Sequence, residues 1–112
     1  MDCIFCKIIA GEIPSKKVYE DEFVYSFLDI NPQAPIHALV IPKEHICCAD
    51  AINEKNSAVI AKIFEAIPKI AKSLGADGGY RIISNCGDDA CQTVKHIHFH
   101  ILGGKKLPES MA

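Results

Sequence analysis

The chain has 112 residues, 49% of them hydrophobic, with 12 basic against 14 acidic side chains and a formal net charge of −2 at pH 7, the make-up of one soluble domain, 1–112, with a core of its own. Its longest basic runs are the pairs Lys16-Lys17 and Lys105-Lys106, which leaves no footprint for duplex nucleic acid or an anionic membrane. No basic stretch leads into an apolar run at Met1-Asp2-Cys3-Ile4-Phe5-Cys6, and no later run reaches membrane-spanning length, so the expected compartment is the cytoplasm.

Cysteines stand at 3, 6, 47, 48, 86 and 91. In a reducing compartment they point to metal ligands or buried thiols rather than disulfides. Cys3-x-x-Cys6 has the spacing of a ligand pair but is by itself weak evidence against two plain thiols; Cys47, Cys48 and Cys86 have no partner pattern and are expected to be buried or spectator thiols. Residues 18–20 and 23–28 are rich in aromatic and β-branched side chains around the acidic Glu20-Asp21-Glu22, which predicts two short strands and a turn. Asn31-Pro32-Gln33-Ala34-Pro35 is a loop, because its prolines remove ladder donors. His37-Ala38-Leu39-Val40-Ile41 predicts a strand ended by Pro42.

From about Asn53 to Leu74, apolar residues at Val59, Ile60, Ile63, Ile67, Ile70 and Leu74 follow helical spacing up to Gly75. Pro68 inside that stretch removes a backbone donor, so a kink or break is expected there. Tyr80 to Ser84 and His96 to Leu102 predict two more strands joined by a Gly/Asp/Cys-rich loop. Without internal repeats or a linker, the elements compose an α+β domain, an antiparallel sheet with a helix on one face.

His96, His98 and His100 alternate with Ile97, Phe99 and Ile101. In an extended strand the three imidazoles share one face while the apolar groups enter the core. At a rise of about 3.3 Å per residue the outer two stand roughly 13 Å apart along the strand, too far to share one ion. Imidazole instead suits nucleophilic or proton-transfer work near neutral pH.

This run, His96-Ile97-His98-Phe99-His100-Ile101-Leu102, resembles the HxHxHxx signature of the histidine triad (HIT) family. The resemblance extends through Ile4 to Ile9, Glu12-Ile13-Pro14, Asp29 to Pro35, His37 to Lys43, Asn85 and Gln92-Thr93-Val94, in family order. Asp29-Ile30-Asn31-Pro32-Gln33-Ala34-Pro35 and Leu102-Gly103-Gly104 bring it nearest the Hint branch of nucleoside phosphoramidate hydrolases. The resemblance implies a five-stranded antiparallel sheet with one long helix and a short N-terminal helix, extended across a homodimer. It implies cleavage of purine nucleoside phosphoramidates or related adenylates to the nucleoside monophosphate (AMP or GMP), with no catalytic cofactor. His98 would attack the α-phosphorus, His100 would contact phosphate or leaving group and handle protons, and His37 and His96 would complete the polar cluster. Asn85, Cys91, Gln92, Thr93 and Val94 would border the phosphate with His98 and His100; Asp29 would receive the ribose hydroxyls; Ile4, Phe5, Ile8, Phe27 and Ile30 would sandwich the base. Cys91 departs from the family's usual glycine at that position.

In bacterial members that carry a CxxC, such a pair joins two histidines in a structural zinc site. The matching set here is Cys3, Cys6, His45 and His96, two thiolates and two imidazoles. The alternatives are a nucleotide-binding regulatory module with negligible turnover and a dinucleoside polyphosphate hydrolase. The tail, Lys105 to Ala112, lacks the Trp often found at the carboxyl end of the Hint branch, so leaving-group preference does not carry over.

Overall fold

Local side-chain bonds shape the turns that set the sheet. In the computed structural model, which describes residues 3–111, β1 (Lys17–Glu20) and β2 (Val24–Leu28) are joined at Asp21. Met1, Asp2 and Ala112, the ends of the expected domain, lie outside the described residues. Asp21 Oδ1 accepts from the backbone N–H of Phe23 and of Val24, both at 2.8 Å, and its Oδ2 accepts from the Tyr19 hydroxyl at 2.7 Å. An aspartate serving its own turn in this way replaces backbone partners the reversal would leave open.

β3 (Ile36–Pro42) pairs antiparallel with β2 and keeps Pro42, placed opposite Val24. The strand therefore ends one residue later than expected; a proline is tolerated at a strand's terminal position. α2 (Ser57–Ser73) starts later than the apolar periodicity suggested. Asn56 Oδ1 accepts from Asn53 N–H and Asn53 Oδ1 from Lys55 N–H, both at 2.8 Å, which holds 53–56 in a turn. Pro68 does not break the helix. It and Phe64, whose carbonyl loses its donor, both lie on the exposed face where water can serve that carbonyl.

β4 (Tyr80–Ile83) and β5 (Phe99–Gly103) complete a five-stranded antiparallel sheet of order β1-β2-β3-β5-β4. β5 begins at Phe99 rather than His96. Ahead of it, Ile97 N–H donates to the Ile46 carbonyl at 2.6 Å and Ser84 Oγ to the His98 carbonyl at 2.8 Å, so the lead-in is fastened outside the ladder. A glycine is required at Gly104, with φ +87° and a would-be Cβ 3.0 Å from Pro35 Cβ.

The alternation sorts the core into two faces. Val59, Ile63, Ala66, Ile67 and Ile70 of α2 pack on Val24, Val40, Ile97, Phe99 and Ile101, and each fully buried isoleucine contributes about 1.5–3 kcal/mol. On the opposite face the six-residue α1 (Ile4–Ile9) lays Phe5 and Ile8 over Tyr25, Phe27, Leu39 and Ile41. The histidines of 96–100 lie on this α1 side, since Phe5 packs edge-on against both His96 and His98, at 5.9 and 5.1 Å between ring centres. No helix among the described residues is long and apolar enough to cross a membrane.

Candidate functional site

β3 and β5 pair with His37 opposite Leu102 and Leu39 opposite His100, which brings His37 and His100 side by side. Gln33 N–H donates to His37 Nδ1 at 2.9 Å. The proton of a neutral His37 ring therefore sits on Nε2, which donates to His100 Nδ1 at 2.9 Å and stands 3.4 Å from Asp29 Oδ2. His100 in turn carries its proton on Nε2. His98 Nδ1 donates to the His96 carbonyl at 2.8 Å. In the neutral ring the lone pair is thus on Nε2, to which no protein group bonds among the described residues. Backbone partners on both sides choose these tautomers.

Burial holds His100 down to about 4, helped by His98 and His37 and opposed by Asp29. His37 is likewise lowered by burial, with Asp29 pulling the other way. Both rings are therefore neutral donors and acceptors at pH 7 rather than cations.

The remaining expected residues divide. Phe5, Ile8 and Phe27 are buried in the α1-side cluster, with Val94 packed against it, whereas Ile4 is 46% and Ile30 92% exposed. Asp29 Oδ1 accepts from Asn31 N–H at 2.8 Å, leaving Oδ2 toward His37. Asn85 is half-buried and Thr93 exposed, and neither side chain has a protein hydrogen-bond partner among the described residues. The Gln92 side chain is spent on the backbone around it. Its Oε1 accepts from Gly87 N–H at 3.0 Å and its Nε2 donates to the Cys47 and Val94 carbonyls at 2.7 and 3.1 Å, so the amide closes its own loop. Asp88 and Asp89 are exposed, Asp88 pairing with Lys95 at 3.2 Å. Cys91 is exposed and holds φ +59° in the left-handed region, which glycine occupies without strain. Sequence reasoning missed Ser84, and no spacing pattern marks it.

A second group lies beside the first. Cys3 Sγ, Cys6 Sγ, His45 Nδ1 and His96 Nδ1 lie within 4.8 Å of one another. Sulfur to ring nitrogen measures 3.3 Å for Cys3–His96, 3.4 Å for Cys6–His45 and 3.6 Å for Cys6–His96, and the two nitrogens are 3.2 Å apart. Tetrahedral zinc, with bonds of about 2.3 Å to sulfur and about 2.0–2.1 Å to nitrogen, needs edges of about 3.5 and 3.3 Å. His96 Nε2 donates to the Pro42 carbonyl at 2.9 Å, which turns the Nδ1 lone pair toward the other donors. The donor set fits zinc in number, chemistry and spacing. Burial and then the bond to Cys3 push the Cys6 thiol up to about 11, so a bound cation must displace that proton.

Cys48 and Cys86 are not isolated spectators. With Asp50 they form another group whose sulfur and carboxylate atoms lie within 4.8 Å of one another. Residues 48 and 86 are too distant in sequence for any spacing rule to have joined them.

Known proteins match both the chain and its fold. The HIT domain family matches residues 10–107. A solved structure of a HIT family hydrolase from Clostridium thermocellum is 50% identical, with TM-score 0.96 over 99% of this chain and 97% of the other. A histidine triad nucleotide-binding protein from Candida albicans is 38% identical, with TM-score 0.82 over 99% of this chain and 87% of the other. A 14 kDa zinc-binding protein of Zea mays is 44% identical over 106 residues, covering 93% of this chain and 83% of that protein. The alternating histidines, the five-stranded sheet that presents them and these matches agree: the chain belongs to the HIT, or histidine triad, family.

Proposed function

We propose that the chain is a nucleotide hydrolase or transferase of the Hint-like kind, cleaving purine nucleoside phosphoramidates or related adenylates to the nucleoside monophosphate. The observation that carries this reading is the bond from His98 Nδ1 to the His96 carbonyl, which leaves Nε2 as the basic nitrogen of an otherwise enclosed imidazole. The names of the solved relatives, a hydrolase and a nucleotide-binding protein, support the same class.

His98 Nε2 attacks the α-phosphorus, the P–N bond to the leaving amine breaks, and a nucleotidyl-histidine forms. His100 Nε2–H donates to the phosphoryl oxygen or the departing nitrogen, while His37 holds His100 in that tautomer. Water then attacks phosphorus, and the His98 nitrogen leaves. Asn85 and Thr93 bond the phosphate, Asp29 Oδ2 receives the ribose hydroxyls, and Ile4 and Ile30 close on the base above the floor of Phe5, Ile8 and Phe27. The exposure of Ile30 and the open side chains of Asn85 and Thr93 support their assignment to ligand rather than core. Gln92 and His96 are positioning residues.

Zinc on Cys3, Cys6, His45 and His96 ties the N-terminal helix to the lead-in of β5. It cross-links and takes no part in the chemistry. The zinc-binding maize relative supports its presence. A homodimer through α2 and a sheet edge would extend the sheet, and the half-exposed Tyr80 and Ile82 on edge strand β4 support that side.

The test is release of nucleoside monophosphate from a purine phosphoramidate by wild type and by His98→Ala, with folding of both followed by circular dichroism. Turnover that disappears in the folded variant is expected. A folded wild type that binds AMP without turnover would replace the enzyme with a regulatory binder.

A further inference from the structure

Cys48 and Cys86 approach one another across two loops. The Cys48 and Cys86 sulfurs lie within 4.8 Å of one another and of an Asp50 carboxylate oxygen, and both residues are half-buried rather than sealed. Neither residue belongs to a strand or helix, so a small approach breaks no ladder. The loops are already tied, because the Gln92 amide bonds the Cys47 carbonyl on one side and Gly87 N–H on the other. Cys86 stands next to Asn85 at the start of the loop that Gln92 closes. A disulfide bond of about 2.05 Å needs the two sulfurs to approach by less than about 3 Å from their present separation. No other cysteine pair stands so, since Cys3 and Cys6 belong with His45 and His96, and Cys47 and Cys91 are exposed and outside every such group among the described residues. Asp50 is exposed and gives the group only three donors, against four around Cys3, which favours thiol chemistry over a second metal.

We propose that Cys48 and Cys86 are a hydroperoxide-responsive dithiol whose disulfide clamps the loop 86–92 and slows the reaction at His98. The second half of this statement rests on the function proposed above. One thiolate attacks the peroxide, forming S–O as O–O breaks, and water leaves with one thiol proton. The second sulfur then displaces the sulfenic oxygen as another water, and S–S forms. Two thiols and one hydrogen peroxide become one disulfide and two waters, the sulfurs losing the two electrons the peroxide gains. A dithiol reductant reverses the step. Drawing Cys86 toward Cys48 pulls Asn85 and the loop amides with it, and displacements of this order at a phosphate cradle cost about tenfold or more in rate.

Zinc-loaded protein is treated with hydrogen peroxide, free thiols are blocked with iodoacetamide, and peptides are mapped by mass spectrometry, with a Cys47→Ser variant removing ambiguity between adjacent cysteines. Turnover of a purine phosphoramidate and affinity for AMP are measured on the same samples. The expected result is a Cys48–Cys86 linked peptide, turnover lowered about tenfold, recovery with dithiothreitol, and a Cys86→Ser variant whose turnover does not respond to peroxide. Linkage to other cysteines, or Cys48 and Cys86 remaining unlinked, would overturn the dithiol. So would a second equivalent of zinc in wild type that Cys86→Ser loses. A linked protein with unaltered turnover and AMP affinity would overturn the clamp. The peptide map requires no turnover, so an untreated protein without phosphoramidase activity counts against the proposed reaction alone, and AMP affinity then reads the clamp.

Discussion

Each histidine of the alternating run is assigned its work by what its other nitrogen bonds. His98 and His96 both donate to backbone carbonyls, and His37 accepts from a backbone N–H. A backbone partner cannot rotate away as a side chain can, so the tautomers stay fixed. Asp29 opposes the effect of burial on His37. Asp29→Asn is expected to leave the fold intact, lower the His37 pKa further and raise KM by about ten- to a hundredfold, as loss of a hydrogen bond to a charged group costs about 1.5–3 kcal/mol; steady-state kinetics and imidazole NMR titration check this. His100 carries a pH consequence. Its folded pKa of about 4 lies below the unfolded value near 6.5, so the unfolded chain binds the extra proton first. Stability is expected to fall as pH drops from about 6.5 toward about 4, and His100→Asn to flatten that slope in urea unfolding curves. The three-histidine pattern and the Cys3-Cys6 spacing were legible in the sequence. The Gln33 and Ser84 bonds were not, because both join atoms that only the folded backbone brings together.

The loop from Asn85 to Thr93 shows how an element can be closed and strained at once. Gln92 makes three side-chain bonds to backbone groups, while one position earlier Cys91 sits at a positive φ that costs an L side chain about 1 kcal/mol. Cys91→Gly is therefore expected to raise the free energy of unfolding by about 1 kcal/mol, and Gln92→Ala to lower it by about 1–3 kcal/mol through the unpaired backbone groups it leaves. Equilibrium urea denaturation measures both. Element existence was readable from periodicity, as α2, β2 and β4 show. Element ends were not: side chains of Asn53 and Asn56 delay α2, and bonds from Ile97 and Ser84 hold the lead-in of β5 out of the ladder. Pro68 passes through α2 because it and Phe64, whose carbonyl it leaves without a donor, lie on the exposed face, a fact of helix orientation that composition does not contain.

At the scale of the molecule, the two faces of the sheet differ: α2 covers one with apolar packing alone, while α1 covers the other together with the histidines. The four-donor cluster bridges α1 to the segment before β5, so a metal there would cross-link the two. Replacing Cys3 and Cys6 by Ser is expected to abolish bound zinc, read by elemental analysis. It is also expected to lower the melting midpoint by about 10 °C, since a site at a hundredfold excess of ligand contributes about 2.7 kcal/mol; calorimetry with and without chelator checks the size.

The sequence by itself determined the α+β class, the alternation that sends Ile97, Phe99 and Ile101 to one face and three imidazoles to the other, and the family those residues resemble. The first two are properties of period and composition, local along the chain; the third is carried by motifs that resemble those of a known family. Only the tertiary structure decided which imidazole nitrogen bears a proton, that Gln92 serves its loop, and that Cys48 meets Cys86. Each depends on atoms from distant segments arriving within bonding distance, and no spacing rule along a chain encodes that.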